Sequence, residues 1–117
     1  MNSLSSKDEY LLNKIIENCD SIESRISKYA IDESIFSSDS DLREMVLFPL
    51  VQIGELANHL SDDFVESHSA IPWKDVIGMR HMVVHGYGIL DYNWTWKTIS
   101  EDIDPLKEHC VQVISNA

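Results

Sequence analysis

The sequence at residues 11–29 reads LLNKIIENCDSIESRISKY, and its apolar side chains recur every three or four positions. This spacing places them on one face of an α-helix. The preceding residues Ser6-Lys7-Asp8-Glu9 have the form of a capping box, in which a serine and a glutamate bond to the backbone at a helix start. We therefore predict an amphipathic helix of about six turns. Its apolar positions are Leu11, Leu12, Ile15, Ile16, Cys19, Ile22, Ile26 and Tyr29.

A second helix is predicted after the polar run Ser37–Asp41, which we interpret as a loop. Ser38 or Asp39 is suited to the first, capping position of this helix. Pro49 should kink the helix rather than end it, because the apolar period continues beyond the proline. The apolar stripe consists of Leu42, Met45, Val46, Pro49, Leu50, Ile53, Leu56, Ala57 and Leu60.

Two further helices follow the polar segment 61–70. Ile71-Pro72-Trp73 should open the third, with Pro72 in the first turn, and the apolar pattern runs on through Val84. Gly86 and Gly88 bracket its predicted end. Asp91 could cap the last helix, which Pro105 should bend. The apolar residues of this helix recur at alternating spacings of four and three positions, at Tyr92, Trp96, Ile99, Ile103, Leu106, Cys110 and Val113.

Four amphipathic helices with short connections, and no convincing strand, predict an all-α fold. The expected architecture is an up-and-down bundle of four main helices, with room for one short extra helix. A chain of 117 residues can bury one core, so we expect a single domain over residues 1–117. Cys19 and Cys110 have no metal-ligand spacing around them and are expected to be buried free thiols.

Composition and charge restrict the classes of function that the chain can have. Nine basic and twenty acidic residues give a net charge of −11, which should repel a polyanion at long range, although a confined basic cleft can act locally. The acidity also suits a partner with a basic face. No apolar run approaches the roughly 20 residues of a membrane span, so no membrane association is expected. The N-terminus has no secretory signal pattern, which predicts a cytoplasmic protein.

The densest group of chemically capable residues lies between Gly78 and Gly88. Arg80, His85 and Tyr87 form the pattern R-x4-H-x-Y near the predicted end of the third helix. On an ideal helix Arg80 and His85 would point roughly 140° apart. A shared site therefore needs the helix to unwind near His85, which Gly86 makes plausible, or a second subunit.

This window and its flanks resemble the HEPN superfamily, and in particular its HepT-like branch. The flanking residues that carry the resemblance are Ile53-Gly54-Glu55, Ile71-Pro72-Trp73, Gly78-Met79-Arg80, Leu90-Asp91, Trp96 and Ile103-Asp104-Pro105-Leu106. The sequence departs from the family at His81, where relatives usually carry a polar residue, commonly Asn.

The resemblance implies a homodimer that acts as the toxin of a type VII toxin–antitoxin module, an endoribonuclease that needs no metal or cofactor. Its RNA substrate would be a tRNA or an mRNA. Arg80, permanently charged, would stabilise the phosphate, and His85, which titrates near neutral pH, would act as acid or base. The resemblance also implies a minimal nucleotidyltransferase as antitoxin, which would attach AMP to Tyr87 and so block the anion site.

Several alternatives stay open. His81 and His85, four residues apart, could bind a metal, but no third ligand is recognisable in the sequence. Glu55 could be a surface acid, although the resemblance makes it a candidate to hold Arg80 or to support the cleft. Lys74 widens the basic site or is merely solvated. The isolated histidines His59, His68 and His109 are each expected to be an exposed or packed side chain. The three tryptophans could stack RNA bases, but core or dimer packing is expected for Trp73 and Trp96, and exposure for Trp94. A second function, a non-catalytic helical module that docks on a nucleotidyltransferase or binds a nucleotide, fits the acidity.

Overall fold

The computed structural model describes residues 4–81 and 91–117, and every element within these two ranges is helical. The α-helices are α1 (Ser6–Tyr29), α2 (Glu33–Ser38), α3 (Ser40–Asn58), α4 (Asp62–Ser67), α5 (Trp73–Gly78), α6 (Tyr92–Glu101) and α7 (Ile103–Ser115). A 3₁₀ turn at Met79–His81, here called the Arg80 turn, follows α5. The prediction of an all-α fold is confirmed.

The first helix starts one residue away from the predicted cap. Ser5 is the N-cap, and its hydroxyl accepts a hydrogen bond from the backbone N–H of Asp8 at 3.1 Å. The capping box predicted at Ser6 and Glu9 is therefore wrong by one position. Asp8 takes the place predicted for Glu9, and it is buried because its carboxylate bonds to Ser61 rather than to solvent.

The second predicted helix corresponds to α3 and begins at the expected cap. Asp39 accepts hydrogen bonds from the backbone of Asp41 and Leu42, each at 3.1 Å. The helix continues through Pro49 to Asn58, as predicted. The loop predicted at residues 37–41 is wrong, because only Asp39 separates α2 from α3. The short helix α2 is held by the fully buried ring of Phe36.

The polar segment 61–70 contains a helix that sequence patterning did not predict. Ser61 caps α4 by accepting a hydrogen bond from the N–H of Phe64 at 3.2 Å. Phe64 is buried, while Asp62 and Asp63 face solvent in the first turn. One buried aromatic side chain is too little to produce a periodic pattern, which is why the sequence of this segment showed no helical signal.

The third predicted helix differs from expectation at its ends, and the last predicted helix is divided in two. The third begins at Trp73, with Pro72 outside it as the N-cap, and gives way to the Arg80 turn at Met79. Its predicted extension through Val84 lies outside the described residues beyond His81. Asp91 caps α6 as predicted, but the last helix breaks at Asp102 instead of bending at Pro105. Proline has no N–H to bond to the carbonyl of Glu101, so the chain restarts as α7.

The long helix α1 forms the centre of the bundle and packs along both α3 and α7. The helix α2 contacts α3 and α6, while α5 and the Arg80 turn pack on α3. Buried side chains from all of these elements form one cluster. Cys19 and Cys110 are fully buried within it and are free, as predicted. Among the helices of the described ranges, none is both long and apolar enough to cross a membrane.

Candidate active site

Arg80 is the middle residue of the Arg80 turn, and its side chain is partly exposed. Its Nε donates a hydrogen bond to Nε2 of His81 at 3.3 Å, so this histidine nitrogen is the acceptor. Met79, immediately before it, is buried against the core and anchors the turn. The turn therefore holds one side chain in the core and presents the next to solvent.

The other end of α5 is fixed by Trp73. Its ring is 3% exposed, and its indole N–H donates to the carbonyl of His68 at 2.9 Å. The ring of Phe64 packs edge-on against it, with centroids 5.6 Å apart. Because α5 is anchored at Trp73 and again at Met79, the backbone that leads into Arg80 has a defined path.

Gly54 on α3 lies directly beneath Arg80. A Cβ atom built on Gly54 would overlap the backbone nitrogen of Arg80 and would lie 3.0 Å from its Cα and 3.1 Å from its Cβ. Any side chain at position 54 would force the turn and the helix apart. The sequence contained a signal for this contact, since a glycine in the interior of a helix is unfavourable unless another backbone approaches it.

The remaining charged candidates lie at the surface. Lys74 is exposed in the first turn of α5, and Glu55 is exposed on α3 beside Gly54. Over residues 4–81 and 91–117 the ion pairs are Lys14–Glu17, Lys107–Asp20 and Lys107–Glu23. Arg80 is in none of them, and neither is Glu55, so the guanidinium charge is not neutralised by a described carboxylate.

His85 and Tyr87 lie outside the described residues, as do Gly86 and Gly88. Of the candidate residues in the window between Gly78 and Gly88, the structure therefore describes Arg80 and its neighbour His81. The described part of the chain contains no group of three or more His, Cys, Asp or Glu side chains that could hold a metal ion. The proposed metal pair of His81 and His85 includes a residue beyond that part.

Comparison with known proteins adds to this geometry. The model of a family described as Ribonuclease HepT-like matches residues 12–113, a range that includes Gly54, Lys74 and the Arg80 turn. The chain belongs to the HepT-like ribonuclease family. The HepT-like resemblance seen in the sequence is thereby confirmed.

Three relatives illustrate the range of similarity to this HepT-like chain. A protein of Methanocaldococcus jannaschii named putative RNase is 33% identical over 78 residues, which cover 67% of the chain and 72% of the relative. One of Caldanaerobacter subterraneus with the same name is 29% identical over 103 residues, covering 88% and 90%. A probable ribonuclease HepT of Thermococcus cleftensis is 36% identical over 72 residues, covering 62% and 66%. No solved structure matches the chain.

A second group of titratable residues in this HepT-like chain surrounds a cavity of about 1030 Å³ between α4, α7 and the start of α1. His68 stacks on Phe64 with ring centroids 4.1 Å apart, and His109 lies 5.6 Å from His68. Burial, and then the nearby His68, lower the pKa of His109. Both histidines are packed and His59 is exposed, as predicted.

The tryptophans also follow the sequence prediction. Trp96 packs on Phe36 with centroids 5.4 Å apart, and Trp73 is in the core. Trp94 is 57% exposed.

Proposed function

We propose that the chain is an endoribonuclease that cleaves RNA without a metal ion, using Arg80 and His85. The observation that carries the proposal is Arg80 itself, seated on Gly54 with its charge unpaired by any carboxylate of the described ranges. A planar guanidinium in this state can bind two phosphate oxygens at once. Family membership supports RNA as the substrate, since relatives carry the names RNase and ribonuclease.

The proposed reaction is a transesterification within the RNA strand. The 2′-OH loses its proton to a neutral His85, and its oxygen forms a bond to the adjacent phosphorus. The bond from phosphorus to the 5′-oxygen breaks, and this oxygen takes a proton from a second, protonated imidazole. The products are a 2′,3′-cyclic phosphate and a 5′-hydroxyl end. Arg80 stabilises the charge that develops on the phosphate oxygens.

A homodimer would supply the two imidazoles that the reaction requires. One His85 acts as base and its copy as acid, which is possible because an imidazole with a pKa near 6.5 populates both forms near neutral pH. Lys74, exposed on α5, would contact the RNA backbone further along the strand. Within the same site, His81 would orient Arg80 through its hydrogen bond. The carboxylate of Glu55 would repel phosphates and so restrict an RNA phosphate to the neighbourhood of Arg80.

The proposal also includes regulation by a minimal nucleotidyltransferase, with this chain as the toxin of a type VII module. The Tyr87 hydroxyl would attack the α-phosphorus of ATP, forming a tyrosyl–AMP bond and releasing pyrophosphate. The added phosphate would compete with RNA for the Arg80 guanidinium. An acidic chain would dock on a basic face of such a partner, which fits the net charge of −11.

The purified chain, assayed with RNA in EDTA, tests the cleavage proposal. We expect cleavage to ends that mass spectrometry identifies as 2′,3′-cyclic phosphates. The variant His85→Ala should lose this activity, and His59→Ala, at an exposed histidine at the end of α3, should keep it. Full activity of His85→Ala would remove the proposed mechanism.

The acidity favours a second candidate, a non-catalytic module that docks on a nucleotidyltransferase or binds a nucleotide. The twenty acidic residues disfavour capture of free RNA. This candidate predicts that expression of the chain alone does not inhibit growth and that the chain co-purifies with a co-expressed nucleotidyltransferase. Growth inhibition that disappears in Arg80→Ala would contradict it.

A further inference from the structure

Two glycines of the chain offer a natural comparison. Gly54 is buried in α3, and a Cβ placed there would meet the backbone of Arg80. Gly78 ends α5, two residues before Arg80, and a Cβ placed there would meet nothing within 4 Å. The same added methyl group is therefore blocked at one position and free at the other.

We propose that Gly54 is a positioning residue for Arg80, an inference that rests on the proposed ribonuclease function. The contact involves the nitrogen, Cα and Cβ of Arg80, so it fixes the backbone from which the guanidinium extends. A backbone seated on a neighbouring helix defines a side chain's origin better than contacts at the flexible end of that side chain do. Gly54 thus sets the distance between α3 and the arginine.

The expected consequence of a side chain at position 54 is displacement of the Arg80 turn away from α3. The overlap requires a shift of roughly 1 Å, and a misplacement of that size can lower a rate by about 100-fold. The effect should appear mainly in kcat, because the arginine stabilises charge that develops in the transition state. Lys74 is on the exposed side of α5, so RNA contacts there should be less affected.

The test compares Gly54→Ala with Gly78→Ala in the full chain. Gly54→Ala should reduce kcat for RNA cleavage by about 100-fold with a small change in KM. Gly78→Ala should cleave at the wild-type rate. In an Arg80→Ala background, Gly54→Ala should cause no further loss, because it acts only through the arginine. A wild-type rate for Gly54→Ala, or an equal loss with and without Arg80, would overturn the inference.

Nuclear magnetic resonance tests the positioning without relying on activity. The Nε and amide signals of Arg80 should shift in Gly54→Ala and stay in place in Gly78→Ala. Unmoved Arg80 signals in Gly54→Ala would overturn the inference. If Arg80→Ala cleaves RNA normally, the proposed function fails, and these signals still decide whether Gly54 positions the turn. In the wild-type chain, a nuclear Overhauser effect between the Gly54 Hα protons and the Arg80 amide proton is expected. Its absence would also overturn the inference, even if Gly54→Ala did not fold.

Discussion

The carboxylate of Asp8 accepts two hydrogen bonds from Ser61, one from the backbone N–H at 2.9 Å and one from the hydroxyl at 2.6 Å. Ser61 is also the N-cap of α4, so this contact joins the start of α1 to the start of α4. Asp8 is 3% exposed, and water cannot readily replace either bond. The connection between α3 and α4 is therefore attached to the central helix by a buried charge.

Replacing Asp8 by Asn should destabilise the fold at neutral pH by about 2 kcal/mol, since the negative charge that strengthens both hydrogen bonds is removed and one acceptor oxygen is replaced by a donor. Burial raises the pKa of Asp8, but the hydrogen bonds from Ser61, together with smaller effects of Ser5 and the charge of Lys7, outweigh burial and hold the pKa below its ordinary value of 3.8. The stabilisation is thus present above pH 3.8 and is lost as the pH falls through the folded-state pKa.

Urea unfolding at pH 7 and in acid measures this effect. The difference in free energy of unfolding between wild type and Asp8→Asn should shrink as the pH falls below the pKa of Asp8. The control is Glu9→Gln, an exposed carboxylate in the same turn, which should unfold nearly like wild type. Equal stability of wild type and Asp8→Asn at pH 7 would contradict the assignment.

The rate of RNA cleavage should depend on the shape of the cationic group at position 80 as well as on its charge. Arg80→Ala is expected to lower the rate of RNA cleavage by about 10²- to 10³-fold, and Arg80→Lys to recover part of the loss, because lysine keeps the charge without the planar fork. Lys74→Ala should instead raise KM. Single-turnover and steady-state kinetics separate these effects, and full activity in Arg80→Lys would show that a point charge suffices.

The two buried thiols should be inert in the folded chain. Burial raises the pKa of Cys19 to about 12 and that of Cys110 to about 12, so neither forms the reactive thiolate near pH 8. We expect no reaction with a thiol reagent at pH 8 in buffer and complete reaction in urea. Because the folded-state pKa values lie above the ordinary value of 9.0, stability should fall as the pH rises above 9.0. Rapid labelling of the native chain would contradict their burial.

His109 should make stability fall in mild acid. Its Nε2 is buried and has no hydrogen-bond partner among the described residues, and its pKa is lowered by burial and by His68. The unfolded chain binds the proton more readily, so stability declines as the pH falls below 6.5. His109→Leu should reduce the loss of Tm between about pH 7.5 and 5.5. The control His59→Gln should keep the wild-type loss, and an unchanged pH dependence in His109→Leu would contradict the prediction.

Sequence patterning predicted the long helices because their cores are continuous. The stripe from Leu11 to Ile26 and the caps Asp39 and Asp91 are local signals, and each lies where it was expected. The helix α4 and the break at Asp102 were missed. The helix α4 has one buried ring, that of Phe64, which produces no periodic pattern. The break at Asp102 arises because Pro105 has no N–H to donate to the carbonyl of Glu101, and the sequence pattern does not show whether a helix bends or breaks at a proline.

The candidate site was predicted in part. The motif indicated Arg80 from residue type and spacing, but no sequence pattern specifies the distance between Arg80 and α3. That relation depends on two segments that are far apart in the chain, and it becomes visible when Gly54 is found under the Arg80 backbone. The exposure of Glu55 likewise follows from how α3 is rotated in the bundle, which a single helix pattern does not specify.

The six-residue helix α5 is much too short to persist on its own in water. It exists because Trp73 and Met79 are inserted into the core at its two ends. The placement of the Arg80 backbone consequently depends on the packing of the whole core. Under the proposed function, ribonuclease activity and global structure should therefore be lost over the same range of urea concentration.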